Sequence, residues 1–177
     1  MDFITLNLQY WISTKETFTF TMIVFGVMVG SFSNVIIYRY PEIIWYGKGK
    51  SEGMSLSCPN SRCPKCNTEL KWYHNIPVLS WLALRAKCAF CKVKIPSRYP
   101  LVELLMAVTY GVIAYLMYGT IVNAVIFAIF ANVIIIGCFI YYDHNRLMKI
   151  FWVSLPVFIF LFAISSSYFG YYVALID

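Results

Sequence analysis

The stretch "SRCPKCNTELKWYHNIPVLSWLALRAKCAFCKVKIPSRYPLVELL" (Ser61–Leu105) holds four thiols at metal-site spacing and runs straight into an apolar segment. Cys63-x2-Cys66 is followed by 21 residues and then by Cys88-x2-Cys91. Each CxxC pair sets two sulfurs on one side of a tight turn, and two such turns close a tetrahedron. The spacing therefore points to zinc held by Cys63, Cys66, Cys88 and Cys91. All four ligands come from protein and leave no open position for water, so the expected Zn2+ is structural. The alternative, two disulfides, calls for an oxidising compartment. Cys58 is expected to be a spare thiol, His74 to lie outside the ligand set, and Cys138 to be a small packing residue.

Outward from this stretch the chain turns apolar. Of its 177 residues 60% are hydrophobic and 12% charged, about half the charged share of ordinary soluble domains. Four runs, Phe18–Tyr38, Leu101–Tyr118, Ile121–Tyr142 and Ile150–Val173, approach the about 20 residues that cross a hydrocarbon core. The expected fold is an all-α polytopic membrane protein of about four transmembrane helices with a small four-cysteine zinc-knuckle insertion. Its parts are a lead-in and first helix (1–38), the insertion (39–100) and three further helices (101–177). Only Gly119-Thr120 separates the second run from the third, which predicts a tight antiparallel hairpin. No clear internal repeat or low-complexity tract stands out.

Charge supplies the orientation. The net charge is +6, and eleven of the 14 Lys and Arg lie between Arg39 and Arg98, against Glu42, Glu52 and Glu69. The positive-inside rule makes that insertion cytoplasmic. Arg146 and Lys149 then return to the cytoplasmic side, while Lys15 and the C-terminal Asp177 fall outside. A basic excess of this origin reflects topology, and it excludes nucleic-acid binding, whose signature is a basic face on a soluble fold. The start, "MDFITLNLQYWISTKETF", has no basic n-region or small-residue cleavage site and is not expected to be a cleaved signal. Tyr10, Trp11 and Lys15 suit a membrane interface. The insertion is small enough to need a staple, and structural zinc supplies roughly 10 kcal/mol or more. Between the knuckles, "WYHNIPVLSWLAL" has two readings: the small core of the zinc module, or a face that rests on the membrane or docks a substrate.

"GSFSNVIIYRYP" (Gly30–Pro41), followed in order by the two knuckles, "NIPVLSW", Arg98-Tyr99-Pro100 and Glu103, resembles the N-terminal region of the bacterial type IV prepilin peptidases. The resemblance covers residues 30 to 150. It implies a multi-pass enzyme of the bacterial inner membrane. Such an enzyme cuts the leader of type IV prepilins, or of type II secretion pseudopilins, on the cytoplasmic side. It then methylates the new N-terminus with S-adenosylmethionine. Cleavage by the family uses two aspartates, one acting as base toward water while the other polarises the carbonyl.

Several positions depart from the pattern. The family's first aspartate falls on Tyr141 of "FIYYDHNRLMK" (Phe139–Lys149), and its usual proline falls on Met148. A tyrosine, with a pKa of about 10, offers no anionic base at neutral pH. Asp143 is the nearest substitute, although its plainer reading is a solvated residue at a helix end. The family's second aspartate motif, Gly-x-Gly-Asp, has no match before Asp177. No peptidase activity is therefore expected from this chain alone. Its missing part would come from a second membrane chain or a homodimer, or the chain binds prepilin without cutting. Ala86 stands where the family usually has glycine. Glu103, Asn34 and Arg98 are the candidate substrate contacts. Glu103 sits three residues past Pro100, where it also complements a helix dipole. Asn34 could equally hydrogen-bond a neighbouring helix, beside Gly30, Ser31 and Ser33, which permit close approach.

Overall fold

The computed structural model describes residues 14–47, 53–146 and 148–176, and among these the side chains of all but 150, 151 and 166–176. Tyr10, Trp11 and Asp177, which the sequence places at or beyond the membrane surface, lie outside the described residues, as do Lys48, Lys50 and Glu52. The elements are α1 (Lys15–Ile44), a 3-10 turn (Trp72–Asn75), α2 (Leu79–Ala83), α3 (Arg98–Leu116), α4 (Ile121–His144) and α5 (Lys149–Ile176). Helices α1, α3 and α4 are long and apolar enough to cross a membrane, and α5 has a shorter apolar run, Trp152–Ser165, among its described side chains. The protein is thus all-α and polytopic, with a four-cysteine cluster between α1 and α3. Helix α1 continues six residues past Tyr38, through the buried Pro41, whose carbonyl accepts from Trp45 N–H (2.9 Å) and Tyr46 N–H (3.2 Å).

The chain divides into two compact units. One is Val24–Val108, and the other comprises the described residues up to Ile23 and from Thr109 onward. In the first unit, α1 buries Gly26, Gly30, Ser33, Asn34, Ile37 and Pro41, a stripe at three- and four-residue spacing. Helix α3 buries Val102, Glu103, Met106 and Ala107. The opposite faces are also apolar and exposed, with Phe25, Met28 and Phe32 on α1 and Leu101, Leu104 and Val108 on α3. A helix apolar all round belongs in a protein core or in lipid. Small residues sit on the inner stripe because packing between helices in lipid depends on close van der Waals approach. At Gly30 that approach is extreme: an added Cβ would lie 2.7 Å from Glu103 Cα and 3.2 Å from Met106 Cβ.

In the second unit, a Cβ on Gly111 would meet Ile23 Cγ1 at 2.6 Å. The Lys15 ammonium lies 3.6 Å from the centroid of the Tyr115 ring. The expected hairpin is present: Gly119 takes φ +93°, and Thr120 N–H bonds Met117 O at 3.0 Å. Across it the Asn132 amide donates to the Tyr110 hydroxyl at 3.4 Å. Helices α4 and α5 join through aromatic rings, with Phe130 stacked on Phe158 at 4.1 Å and Phe127 edge-on to Phe158 at 5.0 Å. The Ser165 hydroxyl donates to the Asn123 side-chain oxygen. Cys138 is exposed on α4 rather than packed inside. The buried face of that turn is taken by Ile136, Gly137 and Ile140, and helical rotation carries position 138 away from it.

Gly30→Ala should separate α1 from α3, because the clash is with backbone that only a helix shift can relieve. The expected loss is about 1–3 kcal/mol, opposed by about 1 kcal/mol of better helix propensity, so the net effect is destabilising. Unfolding of the purified protein in bicelles or mild detergent measures it, and a stability equal to wild type would refute the close approach.

Candidate metal centre and its anchor on the helices

The four expected cysteines come together. Their Sγ atoms lie within 4.8 Å of one another, and among the described residues no other His, Cys, Asp or Glu joins them. Cys63 and Cys91, one from each knuckle, have their sulfurs 3.7 Å apart. A tetrahedral ion with metal–sulfur bonds of about 2.3 Å needs sulfur–sulfur edges of about 3.8 Å. All six cysteines are free thiols, so the cluster fits a bound metal ion and not a pair of disulfides. Cys58 is exposed and outside the cluster. His74 is engaged elsewhere: its Nδ1 accepts from Lys71 N–H at 3.3 Å, and its ring meets Phe90 and Tyr73 edge-on.

The sequence shows no clear repeat, but the backbone contains one, offset by 25 residues. Cys63 N–H bonds Thr68 O (3.0 Å) as Cys88 N–H bonds Val93 O (2.8 Å). Asn67 N–H bonds Cys63 O (2.8 Å) as Lys92 N–H bonds Cys88 O (3.1 Å). Leu70 N–H bonds Ser61 O (2.8 Å) as Ile95 N–H bonds Ala86 O (2.7 Å). Antiparallel bridges Arg62–Glu69 and Lys87–Lys94 flank the two turns. The residue after each second cysteine, Asn67 or Lys92, takes a positive φ of 55° or 58°. The repeat escapes sequence reading because it lives in hydrogen bonds and turn geometry. Beyond the cysteines, only a basic residue before each pair and an apolar one at the end match.

Backbone amides aim at the sulfurs. The Thr68 hydroxyl and amide bond Cys66 and draw its thiol down to about 6. The Cys91 and Phe90 amides lower Cys88. The Val93 amide also pulls Cys91 down, but desolvation and the hydrogen bonds with the other three thiols prevail and push it up to about 11. Without a cation the cluster must keep protons to limit its negative charge. A metal ion in their place would hold every ligand as thiolate.

Two contacts fix this module to α1 and α3, and a third joins the two helices to each other. Arg39 of α1 donates Nη1 to Ser55 O (2.9 Å) and Leu56 O (3.2 Å), and Nη2 to Pro59 O (2.6 Å). Asn34 donates Nδ2 to Tyr99 O at 3.0 Å, across from α1 to the first turn of α3. Glu103, only 7% exposed, accepts Val78 N–H on Oε2 at 2.7 Å and bonds the Ser31 side chain. Val78 holds φ 58° and ψ −51°, a conformation that is a genuine outlier for a β-branched residue. Glu103 and Asn34, expected as substrate contacts, are therefore buried ties between elements. Arg98, partly exposed, opens α3. The Val78 amide and the Tyr99 carbonyl were not legible beforehand, because a backbone group leaves no mark in a sequence. Asp143 is exposed in the last turn of α4, two residues past the half-exposed Tyr141, and Asn145 (φ 53°) closes the helix by donating to Tyr141 O at 2.7 Å.

Glu103→Ala leaves Val78 N–H without its acceptor, at a cost of about 1–3 kcal/mol. Hydrogen exchange across residues 76–84 should accelerate, and Glu103→Gln, which keeps an acceptor, should restore most of the protection. Ala86 sits at φ 57°, next to Arg85 at φ 51°. Left-handed backbone costs an alanine about 1–2 kcal/mol, while glycine loses about 0.4–1 kcal/mol more in unfolded-state entropy. Ala86→Gly should thus stabilise the module modestly, seen as a higher chelator concentration needed to unfold it.

The description "Bacterial Peptidase A24 N-terminal domain" belongs to the family that matches residues 24–117. The chain is 37% identical over 120 residues to the prepilin leader peptidase/N-methyltransferase of Stutzerimonas stutzeri, covering 60% of this chain and 42% of that protein. It is 42% identical over 110 residues to the protein of that name from Neisseria gonorrhoeae (54% and 38% covered), and 51% identical over 88 residues to that from Myxococcus xanthus (50% and 23% covered). The match thus spans less than half the length of these relatives. No solved structure matches. Residues 24–117 contain both knuckles, the Asn34 and Glu103 ties and the whole of α3, and on that match the chain belongs to the bacterial A24 prepilin peptidase family, whose N-terminal domain it carries.

Proposed function

We propose that this chain acts in the processing of type IV prepilins or type II secretion pseudopilins, as the zinc-bearing N-terminal part of a leader peptidase/N-methyltransferase. The observation that carries this reading is the family match over residues 24–117, which encloses the four clustered sulfurs. Zinc is the metal that suits four thiolates on a tetrahedral edge of this length. Its role is to hold the module folded, with Cys63, Cys66, Cys88 and Cys91 as ligands. The basic charge of the insertion supports a cytoplasmic position for the module, at the inner membrane that the family resemblance implies. Relatives named prepilin leader peptidase/N-methyltransferase support a methyl-transfer role, and the family resemblance implies the new N-terminal amine as acceptor and S-adenosylmethionine as donor.

Proteolysis is a separate matter. Asp143 is the only aspartate among the described residues. A catalytic pair, in which two close carboxylates share one proton, therefore needs a partner from outside them: further chain, a second copy or another membrane protein. Of the three candidate substrate contacts, Arg98 is partly exposed at the start of α3 and is the one we assign to the prepilin, whereas Asn34 and Glu103 hold α1, α3 and the thiol module in register.

The test reconstitutes the purified chain in lipid with prepilin, or with pre-cleaved pilin, and S-adenosylmethionine, and reads pilin mass. The expected result is no loss of leader from this chain alone, and cleavage once a chain supplying the Gly-x-Gly-Asp spans is co-expressed. Leader loss from the isolated chain would overturn the expectation that cleavage needs a second carboxylate from outside the described residues. A methyl gain on pre-cleaved pilin would place transfer within this chain, and its absence together with prepilin binding would favour a non-catalytic binding role. Elemental analysis should find about one zinc per chain, lost in the Cys63→Ser, Cys88→Ser double variant.

A further inference from the structure

The thiol module has an apolar face that its own core does not cover. Trp72 is 79% exposed, Leu79 65% and Leu82 57%, with Phe90, Tyr73 and Ile76 between 44% and 37%. The aromatic part is continuous: Trp72 meets Tyr73 at 5.7 Å, Tyr73 meets His74 at 4.5 Å, and His74 meets Phe90 of the second knuckle at 5.7 Å. Trp81, by contrast, is partly buried and donates Nε1 to Ile95 O at 3.2 Å. The segment thus divides its residues between a small core and an open face.

Two observations identify what covers that face. The first is charge. From Gly53 to Ser97 the module carries seven Lys and Arg, all exposed, against the single acid Glu69, whose carboxylate accepts from the Asn60 amide. Lys71 stands over the Tyr73 ring, 5.8 Å from its centroid, at the edge of the patch. The second is position. Val78, which begins α2, is bonded to Glu103 in the second turn of α3, a helix long and apolar enough to cross a membrane. Glu103 lies five residues into that helix, about 7.5 Å along its axis. Leu79 and Leu82 follow Val78 directly. They are therefore held at the level of the helix's first turns, where a bilayer changes from headgroups to acyl chains. Amphipathic rings with lysines beside them are the residues that settle in that layer, and a basic segment there is drawn to anionic lipid.

We propose that the face formed by Trp72, Tyr73, Ile76, Leu79, Leu82 and Phe90 lies in the headgroup layer of an anionic bilayer, with the surrounding lysines and arginines on lipid phosphates. The occupant is lipid and not a protein partner, because the Glu103–Val78 bond fixes the patch beside the membrane whether or not any substrate is bound. In this arrangement the metal organises a membrane-surface platform, and α2 acts as a short interfacial helix. The inference is independent of leader cleavage and methylation, and its test needs neither.

The test uses the full chain in nanodiscs of phosphatidylcholine, with or without phosphatidylglycerol, containing lipid brominated near the headgroup. The difference in emission between wild type and Trp72→Phe isolates Trp72. Brominated lipid should quench that component about twofold or more in anionic discs, and less in zwitterionic ones. Quenching by aqueous iodide but not by brominated lipid in anionic discs would overturn the proposal. Equal quenching in both lipids would overturn its anionic selectivity. The Leu79→Glu, Leu82→Glu double variant, checked for unchanged metal content so that the module is known to fold, should lose the extra hydrogen-exchange protection that anionic discs give residues 72–83. Protection that appears only when prepilin is added would assign the face to a protein and refute the inference.

Discussion

The unit Val24–Val108 depends on how closely α1 approaches α3 at Gly30. With 2.7 Å between a would-be Cβ and Glu103 Cα, no side chain fits between the two backbones there. That contact sets Glu103 at a depth where its carboxylate meets Ser31 on one side and Val78 N–H on the other. A buried carboxylate is costly unless its hydrogen bonds are satisfied, and here the acceptors meet donors from α1 and from the thiol module. One turn earlier, Asn34 repeats the logic with Tyr99 O. The polar residues interrupting an otherwise apolar stripe are therefore the rivets of the helix pair.

The thiol module is strained as well as small. Asn67, Val78, Arg85, Ala86 and Lys92 all hold positive φ; asparagine tolerates this region, and for the other four the cost is about 1–2 kcal/mol each. Together these amount to several kcal/mol, which a module with few buried side chains cannot supply by burial alone. A metal ion held by the four thiolates, at roughly 10 kcal/mol or more, would exceed that sum. The two knuckles share one geometry because both must present a pair of sulfurs to the same point. They differ at Thr68 against Val93, where the hydroxyl gives Cys66 one hydrogen bond that Cys91 lacks. Arg39, reaching three carbonyls between Ser55 and Pro59, ties the entry to this module onto α1.

The stretch over which this chain resembles the prepilin-processing relatives, residues 24–117, contains the four clustered cysteines and the helix ties. The Tyr141–Asp143 region tells a different story. Asp143 is exposed in the last turn of α4, at the end of the helix dipole that disfavours a carboxylate. That environment differs from a carboxylate pair sharing a proton in a partly buried cleft.

Much was written in the sequence itself. The CxxC spacing named the four thiols that the fold brings together, because two such knuckles leave few alternatives once they close on one point. The apolar runs gave α1, α3, α4 and the tight turn at Gly119-Thr120, because bilayer thickness and helix rise leave little freedom in length. Gly30, Ser33 and Asn34 marked the inner stripe of α1. Tertiary structure alone decided the partners. Glu103 and Asn34, legible as costly polar groups, turned out to bind backbone atoms of Val78 and Tyr99, which no pattern of side chains announces. The 25-residue repeat was hidden because it is made of main-chain hydrogen bonds. The exposure of Cys138 and of the Trp72–Leu82 face depended on which side of each helix found a neighbour. Composition fixes that a surface is apolar, and only packing decides whether protein or lipid covers it.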